Sequence, residues 1–183
     1  MNKGKILIVS GPSGCGKSTV LGIVFSKIEK HYFSISATTR KPRQGEKDGV
    51  NYYFIDVKTF EKMIENGEFL EYAQFVGNYY GTPLKPIYEH AMAGDTVFLD
   101  IETQGFMQVK KKIPEAVSVF IAPPSLDVLE KRLRGRGTET DDVIRSRLET
   151  ADNEMSFSNK YDHIVINDDV NRAAEEIIKI INS

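Results

Sequence analysis

Apolar positions along the chain fall into short, near-continuous runs separated by stretches of helical period. Lys5–Ser10 is the first run, and Phe33–Ser36, Thr96–Asp100, Ala116–Ile121 and His163–Ile166 follow it. Runs of this length read as strands buried on both faces. Between them the spacing changes to that of amphipathic helices: Val20–Lys30, Thr103–Lys112, Ser125–Arg134, Asp141–Met155 and Val170–Asn182. Strands alternating with helices predict an α/β fold with a parallel sheet covered by helices.

Two regions depart from this alternation. From Ala37 to Pro83 the chain is rich in turn residues and in short Tyr/Phe-rich strand patterns, at Tyr52–Ile55, Phe69–Phe75 and Asn78–Tyr80, with one amphipathic helix from about Val57 to Asn66. This stretch reads as an inserted lobe. The second departure is Gly135-Arg136-Gly137-Thr138-Glu139-Thr140, between two helices, whose glycines predict a mobile lid. The expected division is a core of residues 1–36, 84–134 and 156–183, a lobe of 37–83 and a lid of 135–155.

Composition narrows the class. The chain has 183 residues and 40% hydrophobic content, enough for one core with a small attached lobe. A net charge of −2 provides no basic footprint for nucleic acid. One cysteine excludes an internal disulfide and fits a reducing compartment. The first apolar run ends at Val9, too short for a signal peptide or a membrane span. A cytoplasmic protein without membrane contact is expected. Protein partners are not indicated.

The chemistry centres on Gly11-Pro12-Ser13-Gly14-Cys15-Gly16-Lys17-Ser18-Thr19, which fits G-x-x-x-x-G-K-[ST] between a predicted strand and a predicted helix. Glycines let such a loop curl so that its backbone N–H groups form an anion nest, with the helix N-terminus facing the same point. Lys17 then adds a positive charge near the β- and γ-phosphates, and the Ser18 hydroxyl is placed to ligate Mg²⁺. Cys15 reads as a tolerated small residue. Asp100, at the end of an apolar strand, is an expected Mg²⁺ organiser, directly or through water.

Other candidates carry alternatives. Arg40 and Arg43 lie three apart in a loop stiffened by Pro42. They read as two guanidinium forks for a phosphate dianion or as a solvated basic turn. Alternation puts Phe69, Glu71, Ala73 and Phe75 on one strand face. A carboxylate among apolar neighbours calls for donors. Guanine supplies two, at N1 and N2, and Ser36 and Thr82 would then serve its O6; the alternative is a strand glutamate in a salt bridge. In the helix from Asp141, Arg145 has acidic neighbours at helical spacing, whereas Arg147 has none and is the better phosphate ligand. Arg136, between glycines, is expected to swing in on closure.

The set Gly11–Thr19, Ser36–Arg43, Asn78–Thr82, Asp100 with Gln104-Gly105, Ile121–Ser125, Arg134–Gly137 and Ile166-Asn167-Asp168 closely resembles guanylate kinase, in order and over nearly the whole chain. The resemblance implies a P-loop NTPase core of three layers with a parallel sheet, a mixed-strand GMP-binding lobe and a short lid. It implies transfer of the ATP γ-phosphoryl to GMP, giving ADP and GDP, with Mg²⁺, in purine nucleotide metabolism. By likeness Ser36, Arg40, Arg43, Tyr52, Glu71, Tyr80 and Thr82 line the GMP site. Gly14, Gly16, Lys17, Ser18 and Thr19 hold the ATP phosphates. Arg132, Arg136 and Arg147 brace the transferring group, and Asn167 lies by the adenine. Where the family commonly has a second aspartate after Asp100-Ile101, this chain has Glu102, whose extra methylene moves the carboxylate outward. Asn159-Lys160-Tyr161-Asp162 matches the N-K-x-D run of GTPases, but neither an apolar strand before it nor a D-x-x-G accompanies it. Two further alternatives are a non-catalytic interaction module of the same family and a kinase of another phosphorylated acceptor.

Overall fold

The computed structural model describes residues 3–135, 137 and 140–183. In chain order the elements are β1 (Ile6–Ser10), α1 (Lys17–Lys27), β2 (His31–Phe33), β3 (Ala37–Thr38), β4 (Tyr53–Phe54), α2 (Val57–Glu65), β5 (Phe69–Phe75), β6 (Asn78–Pro83), α3 (Leu84–Ala93), β7 (Thr96–Asp100), α4 (Thr103–Lys112), β8 (Val117–Ala122), α5 (Leu126–Arg134), α6 (Asp141–Ser156), a 3-10 turn (Ser158–Lys160), β9 (His163–Ile166) and α7 (Val170–Asn182). They gather into two compact units. One contains Tyr32–Ala116 with the described residues up to Ile6; the other contains Leu7–His31 and Val117–Ser183. Residues 84–116, expected with the core, thus group with the lobe.

In the second unit β1, β8 and β9 run parallel, with Val9 opposite Val119 and Ile121 opposite Val165. Leu7, Ile8, Val9, Val119, Phe120 and Ile121 are fully buried, as strands covered on both faces require. Helix α7 follows from an amphipathic stripe: Ala173, Ala174, Ile177, Ile180 and Ile181 are buried, and the Asp169 side chain caps the first turn through the N–H groups of Asn171 and Arg172.

The first unit holds a four-stranded mixed sheet in the order β4-β3-β6-β5. Its core is Phe60 of α2 stacked on Phe69, with ring centres 4.3 Å apart. Strand β7 matches the apolar run Thr96–Asp100, and Val97, Phe98 and Leu99 are buried. Among the described residues no helix is long and apolar enough to cross a membrane.

Three elements differ from their expected positions. Helix α1 begins at Lys17, inside the glycine motif, because Gly16 itself adopts the cap position. Strand β2 is His31–Phe33, so Ser36 lies beyond it, although the Ser34 N–H still donates to the Phe98 carbonyl at 2.9 Å. Helix α3 is not announced by the apolar pattern. Pro86 sits in its first turn, where a missing N–H costs no intrahelical bond, and Gly94 ends it with φ at +90°.

Candidate active site

The loop between β1 and α1 is held from behind. Gly16 has φ +93°, and a Cβ there would stand 2.4 Å from Asn167 Nδ2, so only glycine fits. A loop that turns its N–H groups toward an anion must turn carbonyls into the protein, where they need donors. The Cys15 carbonyl receives two: Asn167 Nδ2 at 2.7 Å and Arg132 Nη1 at 3.0 Å. Arg132 Nη2 also donates to the Asn167 carbonyl at 2.8 Å, and the Asn167 N–H donates to the Ala122 carbonyl at 2.8 Å. Arg132, expected on the transferring phosphoryl group, therefore braces the loop. Asn167, expected beside adenine, is buried beneath the loop, and its Oδ1 has no hydrogen-bond partner among the described residues.

At the loop's mouth no side chain among the described residues caps α1, and Ser18 and Thr19 are exposed. Lys17 Nζ reaches back to the Gly11 carbonyl at 3.4 Å. Arg147 Nη1 donates to Ser13 Oγ at 2.9 Å, which places this guanidinium on the phosphate loop, while Arg145 lies 3.8 Å from Asp142. Cys15 is fully buried. Arg136 lies outside the described residues.

The first unit contains a cavity of about 280 Å³ whose walls include Ser36, Tyr52, Glu71, Tyr80, Asp100 and Glu102. Glu71 is 7% exposed. Burial, then the negative charge of Glu102, raise its pKa above the ordinary glutamate value, while the Thr82 hydroxyl pulls the other way. Thr82 Oγ1 donates to Glu71 Oε1, so this hydroxyl, expected on a ligand, orients the carboxylate instead. Strict alternation along β5 fails at one point. A bulge between Phe69 and Glu71 sends Phe69 onto Phe60, while Glu71, Ala73 and Phe75 stay on the cavity.

Arg40 forms a two-pronged ion pair with Glu46, both bonds at 2.9 Å, and lies 5.5 Å above the Tyr52 ring. Tyr52 meets Tyr80 edge to face at 6.1 Å. Glu46 was not legible as a site residue. Its only sequence signal is its position at the end of a turn, where its N–H bonds the Arg43 carbonyl at 3.0 Å and its carboxylate accepts the Arg43 N–H at 2.6 Å. Arg43 itself is exposed.

These observations can be set beside known proteins. A family model described as Guanylate kinase matches residues 3–183. The chain belongs to the guanylate kinase family. A guanylate kinase from Prochlorococcus marinus subsp. pastoris is 49% identical over 182 residues, covering 100% of this chain and 99% of that protein. One from Bacillus cereus is 51% identical over 180 residues, covering 98% and 88%. The crystal structure of guanylate kinase from Anaplasma phagocytophilum superimposes with a TM-score of 0.78 at 34% identity, covering 99% of this chain and 86% of that one. The protein is accordingly a phosphotransferase with a nucleotide-binding α/β fold, acting on GMP with ATP as donor.

Within the guanylate kinase frame the remaining candidates separate. Asp100 ends β7, exposed on the cavity wall. Glu102 occupies the cap position of α4 without a capping bond from its side chain. The N-K-x-D run is structural: Asp162 Oδ2 accepts from the Ser118 N–H at 2.8 Å and from Ser118 Oγ at 2.7 Å, and Tyr161 is buried, its hydroxyl pushed up to about 12 by desolvation.

Proposed function

We propose that the cavity of the first unit is the GMP site and the loop Gly11–Thr19 the ATP site. The observation that carries this is Glu71: a buried carboxylate, oriented by Thr82, on the wall of a cavity. Guanine is the base whose edge presents two adjacent donors, at N1 and N2, to two carboxylate oxygens, and Ser36 offers a hydroxyl to O6. Arg40, oriented by Glu46, takes the GMP phosphate with Arg43, Tyr52 and Tyr80.

On the donor side Gly14, Gly16, Lys17, Ser18 and Thr19 hold the ATP phosphates, with Gly11, Pro12, Ser13 and Cys15 supplying the rest of the curl. Asn167 Oδ1, an acceptor still lacking a donor, suits the exocyclic amine of adenine. The exposed Ser18 hydroxyl fits Mg²⁺, which prefers few protein ligands plus phosphate and water oxygens, and which when bound would neutralise charge on the transferred group. Lys17 and Arg147, with Arg136 from a lid of residues about 135–155, stabilise the equatorial oxygens. A GMP phosphate oxygen forms the new P–O bond as the bond to the bridging oxygen of ADP breaks, with no covalent enzyme intermediate.

The test is ATP consumption measured in parallel with GMP, AMP, dTMP and UMP. Turnover with GMP far above the others is expected. Equal turnover with AMP would remove Glu71 from base recognition, and equal ATP consumption without any acceptor would remove the cavity as the acceptor site.

A further inference from the structure

β5 carries the base-reading carboxylate, yet it is the outer strand of its sheet, paired on one side only. An outer strand lacks the second ladder that would hold its position. Helix α4 supplies the substitute. Gln108 Nε2 donates to the Tyr72 carbonyl at 2.9 Å, and Gln108 Oε1 accepts the Tyr72 N–H at 3.3 Å. One side-chain amide thus makes the paired exchange that a neighbouring strand makes. Lys112 Nζ donates to the Phe69 carbonyl at 2.9 Å, on the far side of the bulge. Gly105, Gln108 and Lys112 are spaced i, i+3, i+7 and share one face of α4. At Gly105 the helix backbone meets the carboxylate itself: a Cβ there would stand 2.7 Å from Glu71 Oε2.

We infer that Gln108 is a positioning residue for substrate recognition, a clamp from α4 onto the open edge of β5 that sets where Glu71 stands in the cavity. Lys112 is its outer support, and Gly105 the gap that admits the carboxylate. Oε1 of Glu71 is then held by Thr82 from β6, and Oε2 lies in the space that Gly105 of α4 leaves open. The inference rests on Glu71 reading guanine. It assigns no contact between Gln108 and the nucleotide, so its effect belongs to base discrimination and not to phosphate chemistry.

The experiment is steady-state kinetics of Gln108→Leu and Glu71→Gln beside the parent protein, with GMP and with inosine monophosphate, which keeps the N1 donor and lacks the exocyclic amine. For Gln108→Leu the expected result is a KM for GMP raised about tenfold and a reduced preference for GMP over inosine monophosphate. The KM for ATP and kcat at saturating GMP should stay within about twofold. An unchanged KM and preference would overturn the clamp. So would a uniform loss of kcat, both KM values and melting temperature at unchanged preference, which is what mere support of the fold would give. If Glu71→Gln shifts the preference and Gln108→Leu does not, the clamp alone fails; if Glu71→Gln leaves it unchanged, base reading fails and the clamp with it. Lys112→Met alters an exposed residue and covers the case of a Gln108 variant that does not fold. A rise of about two- to threefold in the KM for GMP with the same loss of preference supports the clamp, and no change refutes it.

Discussion

The proposed phosphate loop of the second unit is made of consecutive residues, Gly11 to Thr19, and offers its backbone. The cavity of the first unit collects its walls from residues as far apart as Ser36 and Gly105, and offers side chains. The difference decides what each site is sensitive to. The loop depends on conformations and clearances that exclude a Cβ, and on donors such as Arg132 and Asn167 that take up its outward carbonyl. With Glu71 as the proposed reader of the base, the cavity depends on the aim of one carboxylate, and so on whatever holds β5, β6 and α4 together.

Removing the loop's single strongest charge tests the contrast hardest. Lys17→Met should lower kcat by about 10²- to 10³-fold with an unchanged melting temperature. Near-normal turnover in the folded variant would show that backbone donors alone suffice. Next in size, Asn167→Ala removes a donor from the Cys15 carbonyl and leaves Arg132 as its support. The KM for ATP should rise about tenfold while the KM for GMP is unmoved, and stability should fall by about 1–2 kcal/mol in thermal or denaturant unfolding. A matching rise in the KM for GMP would erase the separation between the two sites.

The cavity has its own signature in pH. Burial first, then Glu102, hold the Glu71 carboxyl above its ordinary value. Guanine's donors need the ionised form, so acidification should raise the KM for GMP from a higher pH than an exposed glutamate would. The GMP phosphate itself titrates near about 6, so the measured quantity is the KM ratio of parent protein to Glu71→Gln, which cancels that ionisation. A flat ratio would show that ionisation of Glu71 is not what binds the base. The stability linkage has a defined sign: the folded pKa is raised, so this group's contribution is fully present below the unfolded pKa and is lost as pH rises through the folded one. The smallest expected effect is that of Glu46→Gln, which keeps an acceptor for Arg40 but removes the charge. The KM for GMP should rise about two- to fourfold, and an unaltered value would mean that Arg40 holds its place without the ion pair.

How far the chain could be read followed the same division. β7, α4, β5, β9 and α7 stand where the apolar pattern put them, because a buried strand or an amphipathic helix records its environment in its own spacing. The base of the phosphate loop was not legible. Arg132 and Asn167 lie more than a hundred residues from Cys15 in sequence, and the bonds they give its carbonyl leave no mark on the chain. The bulge at Phe69 was missed for a related reason: strict alternation was assumed across Phe69-Leu70-Glu71, and the register shift there is set by pairing with β6. Glu46 looked like an ordinary turn residue until folding brought its carboxylate onto Arg40.

The sequence by itself determined most of the elements, their alternation, the glycine-rich motif and the family, since each is written in short-range spacing or in an ordered set of motifs. Tertiary structure alone decided which polar groups satisfy one another. Thr82 turned to Glu71, Arg132 to Cys15, Arg40 to Glu46 and Gln108 to Tyr72. A hydrogen bond needs a partner within about 3 Å, and that condition is set by the packing of distant segments, on which local spacing is silent.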